Sequence, residues 1–310
     1  MKNLKFLILL TAVVLLTGCF LANKDQHNQQ HIVKEQSEID GFKVISTSED
    51  SVVFDKLFLE LDVEDLRNKQ LSEIIVSVAL YLQDAPYVAH TLELYDEECL
   101  VVNLREFDCT TFVENVLAIS YLIKSENPSF GRFVDFLRVL RYRDGIIDRY
   151  PSRLHYFTDW LYDNEQKGIV HLVSNDFGDA DFDASVNFMS ENFSLYPALE
   201  RDSVFVEEIR SVEKRVSDIK FKKVSPANIS HIIDSVNSGD IVAFSTNIDG
   251  LDIAHLGFAY LREGKLRFIH ASTNGNRVRI SEKTLEEYVK DIKNMDGVLF
   301  ARPKNDFLLN

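Results

Sequence analysis

The spacing of apolar positions divides the chain into segments of different character. Residues 6–16 are a continuous apolar run, too short to cross a bilayer as a helix. Residues 20 to about 50 are polar and poor in core formers, with Asn23-Lys24-Asp25-Gln26-His27-Asn28-Gln29-Gln30-His31 at their centre, and read as a flexible, solvated tether. Helical periodicity then predicts helices over 52–61 and 70–83, the second with Leu71, Ile74, Ile75, Val78 and Leu82 on one face. A loop-rich passage runs to Asn103. A strongly amphipathic helix opens at Asp108-Cys109-Thr110-Thr111 and carries Phe112, Val113, Val116, Leu117 and Ile119 at helical spacing. Asp108 suits the N-cap, where its carboxylate accepts from first-turn amides. Residues 128–220 mix helix signals with loops. From Asp240 the period shortens, and 240–244, 253–260, 266–271, 277–280 and 298–302 read as strands, interrupted by a helix over 281–293. Helices first and an antiparallel meander last predict an α+β fold.

Composition narrows the classes. The chain has 310 residues, 45% apolar and 27% charged, which is globular and leaves room for one large domain. A formal charge of −15 without a basic run argues against nucleic-acid binding. Three cysteines, Cys19, Cys99 and Cys109, are too few for a disulfide scaffold and too scattered for a structural zinc site. Lys2 and Lys5 precede the apolar run, which ends in Leu16-Thr17-Gly18-Cys19 and resembles a bacterial lipoprotein signal. That resemblance implies cleavage before Cys19 and lipid on Cys19, which holds the protein at a membrane surface. The expected organisation is a signal peptide (1–18), a tether (19–50) and a catalytic domain (51–310) with a mostly helical insertion near 125–225. The expected place is the bacterial cell envelope, facing the periplasm, as a monomer.

Cys109 stands at a helix start, where unpaired amides and the helix dipole favour an anion, lower a thiol pKa and face a developing oxyanion. A thiolate nucleophile needs a base, usually histidine. His255 and His270 lie in a predicted hairpin. A two-residue turn at Glu263-Gly264 puts Gly257 opposite His270 and His255 opposite Ser272, so the two histidines become diagonal neighbours roughly 7–8 Å apart at the backbone. A three-residue loop would place them on opposite faces. Taken singly, each of the three residues reads more readily as core packing; their order points to chemistry.

Pro86-Tyr87, Asp108-Cys109-Thr110-Thr111-Phe112, Asp240-Ile241-Val242-Ala243-Phe244, His255-Leu256-Gly257-Phe258 and Phe268-Ile269-His270-Ala271-Ser272 together resemble the NlpC-type, papain-like cysteine peptidases of bacterial cell walls. The run from Asp108 to Ala118, with Arg153-Leu154-His155-Tyr156-Phe157-Thr158-Asp159-Trp160, is similar to their N-acetylmuramoyl-L-alanine amidase-like branch. The resemblance implies a papain-like core with Cys109 as nucleophile, His255 as base, His270 orienting it and Tyr87 at the oxyanion edge. It implies peptidoglycan or muropeptide fragments as substrate, with no metal or organic cofactor. Two other functions stay open: cleavage at γ-D-glutamyl-diamino acid, where Asp108 would bind a free amine, and a non-catalytic muropeptide-binding lipoprotein. The chain departs from the pattern at Thr110, where relatives have Ser, and at His90, where they have a small residue.

The long gap between Cys109 and His255 holds Arg141, Arg143, Arg149 and Arg153 interleaved with Tyr142, Tyr150, Tyr156 and Trp160. Arginine forks pair with carboxylates and aromatic faces stack on sugars, so Arg143, Arg153, His155, Tyr156 and Trp160 are candidate substrate contacts. The alternative is a structural segment paired with the chain's own acids. Cys99 is expected to be buried and inert, although a disulfide to Cys109 would block the nucleophile.

Overall fold

The computed structural model describes residues 34–39 and 41–307. The signal-like stretch and Cys19 lie outside the described residues, and among the described residues no helix is long and apolar enough to cross a membrane.

The fold is α+β. Strands β1 (Lys34–Ile39) and β2 (Phe42–Thr47) precede helices α1 (Ser48–Glu60) and α2 (Leu71–Tyr81), and the short strand β3 (Leu100–Val101) pairs in parallel with β2. Helix α3 (Cys109–Lys124) is followed by α4 (Phe130–Arg141) and α5 (Phe157–Gln166), then by strands β4 (Val170–His171) and β5 (Ala180–Asp183). Helix α6 (Ser203–Ser217) and strand β6 (Lys220–Lys223) close the insertion. The C-terminal part contributes β7 (Ile241–Thr246), β8 (Ile253–Arg262), β9 (Lys265–Ser272), β10 (Arg277–Ile280), helix α7 (Leu285–Asp291) and β11 (Met295–Pro303). Six strands form one antiparallel sheet in the order β10-β9-β8-β7-β11-β4.

The sheet has a core on each face. Leu256, Phe258, Ile269 and Ala271 join the larger core around α3, whereas Phe244, Ala259 and Phe268 pack with Leu285 and Val289 of α7. This is the period-2 alternation of a strand buried on both sides. Helix α3 is buried all round from Thr111 to Ile123, and Phe112 meets Phe107 and Phe258 at 6.0 Å between centroids. Such burial explains why a helix in the middle of the chain can hold its first residue rigidly against the sheet.

Two expectations change. The tether was expected to run to residue 50, yet β2 lies inside it, with Val44 and Ile45 buried and paired with Leu100 and Val101. Two adjacent apolar residues, Val44 and Ile45, are too few to show periodicity; the partner strand supplies the reason to fold. The segment expected to be a mostly helical insertion holds α4, α5 and α6 together with β4 and β5, and β4 adds an edge strand to the large sheet.

Candidate active site

The helix carrying Cys109 is started by its neighbours. Asp108 Oδ1 accepts from the Thr111 amide at 2.7 Å and from Thr111 Oγ1 at 2.8 Å, and the Asp108 amide donates to Thr111 Oγ1 at 2.9 Å. This reciprocal cap satisfies first-turn donors and fixes the residue between them. Pro86-Tyr87 is clamped to the same point: the Phe107 amide donates to the Pro86 carbonyl, and the Val88 amide donates to Phe107. The Tyr87 amide donates to Asn276 at 2.9 Å, beside the start of β10. Three motifs distant in sequence thus meet. His90, three residues on, has φ +62°, a left-handed backbone.

The hairpin has the expected register. Glu263 and Gly264 both have positive φ, 54° and 71°, the requirement of a two-residue type I′ turn. Pairing runs from Arg262↔Lys265 to Phe258↔Ile269 and stops there. Gly257 is needed at that point, because a Cβ on it would lie 2.6 Å from the Ile269 carbonyl and 3.1 Å from His270 Cβ. On the other side of β8 the ladder shifts register, with Phe244 opposite His255 and Ser245 opposite Ile253, so Ala254 is an extra residue. Such a bulge re-aims the side chain beside it. The outcome is direct contact: His255 Nε2 and His270 Nδ1 are 2.6 Å apart. With Nε2 committed to His270, the Nδ1 of His255 is the nitrogen left for chemistry.

Strand β8 packs against the helix that Cys109 starts, and the Leu256 amide, next to His255, favours the anion on its sulfur. Cys109 keeps partial exposure. The histidines lie in an aromatic box: Phe244 is 5.7 Å from His255, Phe268 is 4.4 Å from His270, and Tyr288 of α7 is 6.3 and 6.0 Å from the two rings. Sequence reading missed Tyr288; a single aromatic at helical spacing gives no signal of its own.

The electrostatics differ from expectation. Burial pushes the Cys109 thiol up to about 12, and the Asp108 carboxylate adds to it. The Thr110 hydroxyl and the Leu256 and Cys109 amides favour the anion but are outweighed. Burial likewise pushes His255 down to about 4 and His270 to about 2, where the neighbouring His255 and Arg279 also act. The resting site is therefore a neutral thiol beside neutral imidazoles, not the preformed thiolate that the helix start suggested. Cys99 and Cys109 are both free thiols, and Cys99 is buried.

The arginine-aromatic segment is a correction. Arg153, 5% exposed, pairs with Glu93 at 2.7 Å and Glu98 at 3.3 Å. Arg143 pairs with Asp159, and Arg141 with Glu114 at 2.7 Å. Tyr156, 3% exposed, donates to Glu213, and Trp160, with no exposed surface, stacks on Phe157. His155 Nε2 lies 2.8 Å from the Tyr150 carbonyl, and burial holds its pKa well below the usual imidazole value. Arg141, Arg143 and Arg153 are thus paired with acids of the chain itself, and Tyr156 and Trp160 are buried. Arg149, Tyr150 and Arg153 do border a cavity of about 330 Å³, together with Glu93, Glu97 and Cys99, but its lining excludes Cys109, His255 and His270. Among the described residues no cluster of His, Cys, Asp and Glu is arranged to hold a metal ion.

The family described as N-acetylmuramoyl-L-alanine amidase-like matches residues 77–298, a span that includes every residue of this site. The chain belongs to that family. Among solved structures, an N-acetylmuramoyl-L-alanine amidase of Bacteroides uniformis at 1.15 Å resolution is 34% identical, with TM-score 0.73 over 76% of this chain and 99% of that one. A Bacteroides fragilis protein proposed to be a xylanase is also 34% identical, with TM-score 0.70 over 73% and 99% of the two chains. A Legionella pneumophila protein shares the fold at 17% identity, with TM-score 0.59 over 83% and 93%. No curated protein matches the chain.

Proposed function

We propose that the protein is a cysteine-dependent cell-wall hydrolase that cleaves the amide between N-acetylmuramic acid and L-alanine in peptidoglycan or its fragments. The observation that carries this reading is the 2.6 Å His255–His270 contact on strands that pack against the helix started by Cys109. A thiol-bearing helix followed by a histidine-bearing antiparallel sheet is the arrangement of an NlpC-type, papain-like core, and we read the fold in that way.

The neutral resting pair dictates the order of events. His255 donates from Nε2 to His270, which fixes the tautomer with a lone pair on Nδ1. Nδ1 takes the Cys109 proton as sulfur adds to the muramoyl carbonyl, so thiolate never accumulates. The oxyanion faces the Cys109 amide, with Tyr87 at its edge. The proton passes from His255 to the alanine nitrogen, the stem peptide leaves, and a muramoyl thioester remains. His255 then deprotonates water, which attacks the thioester, and the thiol regains its proton. No step calls for a metal.

The γ-D-glutamyl reading draws less support, because the Asp108 carboxylate, its proposed amine ligand, already caps α3 through Thr111. Glycosidase chemistry needs two carboxyl groups flanking a glycosidic bond, and a thiol with two imidazoles does not supply them. Lipid on Cys19 would place the enzyme in the cell envelope, facing the periplasm. Iodoacetamide should abolish amide cleavage while chelators leave it unchanged; the reverse pattern rejects the cysteine mechanism.

A further inference from the structure

The proposed reaction leaves the 153–160 run without a task, although Thr158 within it meets the root of the strand that carries His255. Asp252, 2% exposed, directly precedes β8. Its carboxylate accepts from the amide and the hydroxyl of the fully buried Thr158, both at 2.8 Å. Its carbonyl accepts from the Thr246 amide of β7 at 3.2 Å. The insertion grips the chain again at Gly250, whose carbonyl accepts from the Asn187 and Phe188 amides at 3.1 and 3.0 Å. Gly250 has φ +75°, and a Cβ on it would run into the Asn187 side chain. Just beyond this grip the ladder is interrupted: Ser245 pairs with Ile253 and Phe244 with His255, so the bulge falls on Ala254. A one-residue slip of a strand turns its side chains to the opposite face, and a bulge is where such a slip is absorbed. Past the bulge, Leu256 is held by Ala243; before it, Asp252 is held from β7 and from α5.

We propose that Thr158 and Asp252 are positioning residues that keep the bulge at Ala254 and so hold the His255 imidazole on His270. This rests on Cys109 as nucleophile and His255 as its base. The insertion then acts on the chemistry through the strand root, with no contact to substrate.

The test compares wild type, Thr158→Val, which removes the hydroxyl at nearly unchanged shape, and Thr158→Ser, which restores it. Two quantities are read on the full chain: the rate of iodoacetamide alkylation of Cys109 by mass spectrometry, and kcat and KM on a muropeptide. We expect Thr158→Val to lose about tenfold in both alkylation rate and kcat at unchanged KM, and Thr158→Ser to stay within about twofold of wild type. Asp252→Asn, which keeps an acceptor but loses the charge, should fall between them, and it serves if Thr158→Val does not fold. Tyr121→Phe is the control for stability alone, since it removes a hydroxyl that donates to the Ile169 and Lys304 carbonyls. It should lower the melting temperature and leave alkylation and kcat as in wild type. A reactive wild type with Thr158→Val and Asp252→Asn alkylating at the same rate would overturn the proposal alone, as would equal slowing in Tyr121→Phe. A Cys109 that iodoacetamide does not modify in wild type would reject the cysteine reading and this proposal with it.

Discussion

At the scale of single residues, the site turns on burial. Cys109, His255 and His270 can all be picked out in the sequence, because helix-start and hairpin positions are local properties. Their protonation states cannot. The helix that Cys109 starts packs against β8 and β9, more than a hundred residues away, and burial reverses the sign that the helix start alone would give. This reversal predicts a pH profile. The base must be neutral to act, and a depressed pKa keeps it neutral further into acid. kcat/KM should therefore hold through pH 6.5 and fall only as pH drops through about 4. The same shift works against stability: below about 6.5 the unfolded chain takes up protons that the fold refuses, so melting temperature should decline between pH 6.5 and 4. An acid limb near 6.5 in the rate profile would mean that the imidazole is solvated in the working enzyme.

At the scale of elements, the hairpin was legible and the insertion was not. Glu263-Gly264 announces a two-residue turn, and alternation then dictates which residues share a face. The bulge at Ala254 left no such mark, since it depends on how β7 and β8 curve together. Gly257 offers a direct check. In Gly257→Ala the new methyl group collides with a backbone carbonyl and with His270, which cannot retreat without breaking its contact with His255. We expect a stability loss of about 1–3 kcal/mol from overpacking, and a fall in kcat of at least roughly tenfold from the displaced imidazole. Unchanged kcat would show that His270 placement is not critical. The arginines of 141–153 were misread because their partners, Glu93, Glu98, Glu114 and Asp159, are scattered along the chain, and a local cationic cluster says nothing of acids folded against it. Arg153→Ala leaves two carboxylates without their counter-ion, Glu98 buried and Glu93 partly exposed, and should cost about 3–5 kcal/mol of stability in denaturant unfolding. Turnover per folded molecule should be preserved. A tenfold loss of kcat/KM at unchanged stability would restore a substrate role to Arg153.

At the scale of the whole molecule, one tie between the insertion and the large sheet is a buried hydrogen-bonded pair. Asp252, immediately before β8, accepts from the amide and hydroxyl of Thr158 in α5, both at 2.8 Å. The strand that carries His255 is thus anchored by the part of the chain that separates it from Cys109. An α+β order was readable from the change of period along the sequence, but this anchor was not, because an Asp and a Thr at such separation give no pattern. Nor was β2 readable as part of the body, since its partner is the two-residue β3. What unites these pieces is the claim that Cys109, served by His255 and His270, opens the muramoyl–alanine amide. Mass spectrometry of defined muropeptides digested by wild type and by Cys109→Ser tests it most directly. The account predicts free stem peptide and free sugar from the wild type, and neither from the variant at unchanged melting temperature. A shortened stem still attached to the sugar, or undiminished cleavage by Cys109→Ser, would contradict it.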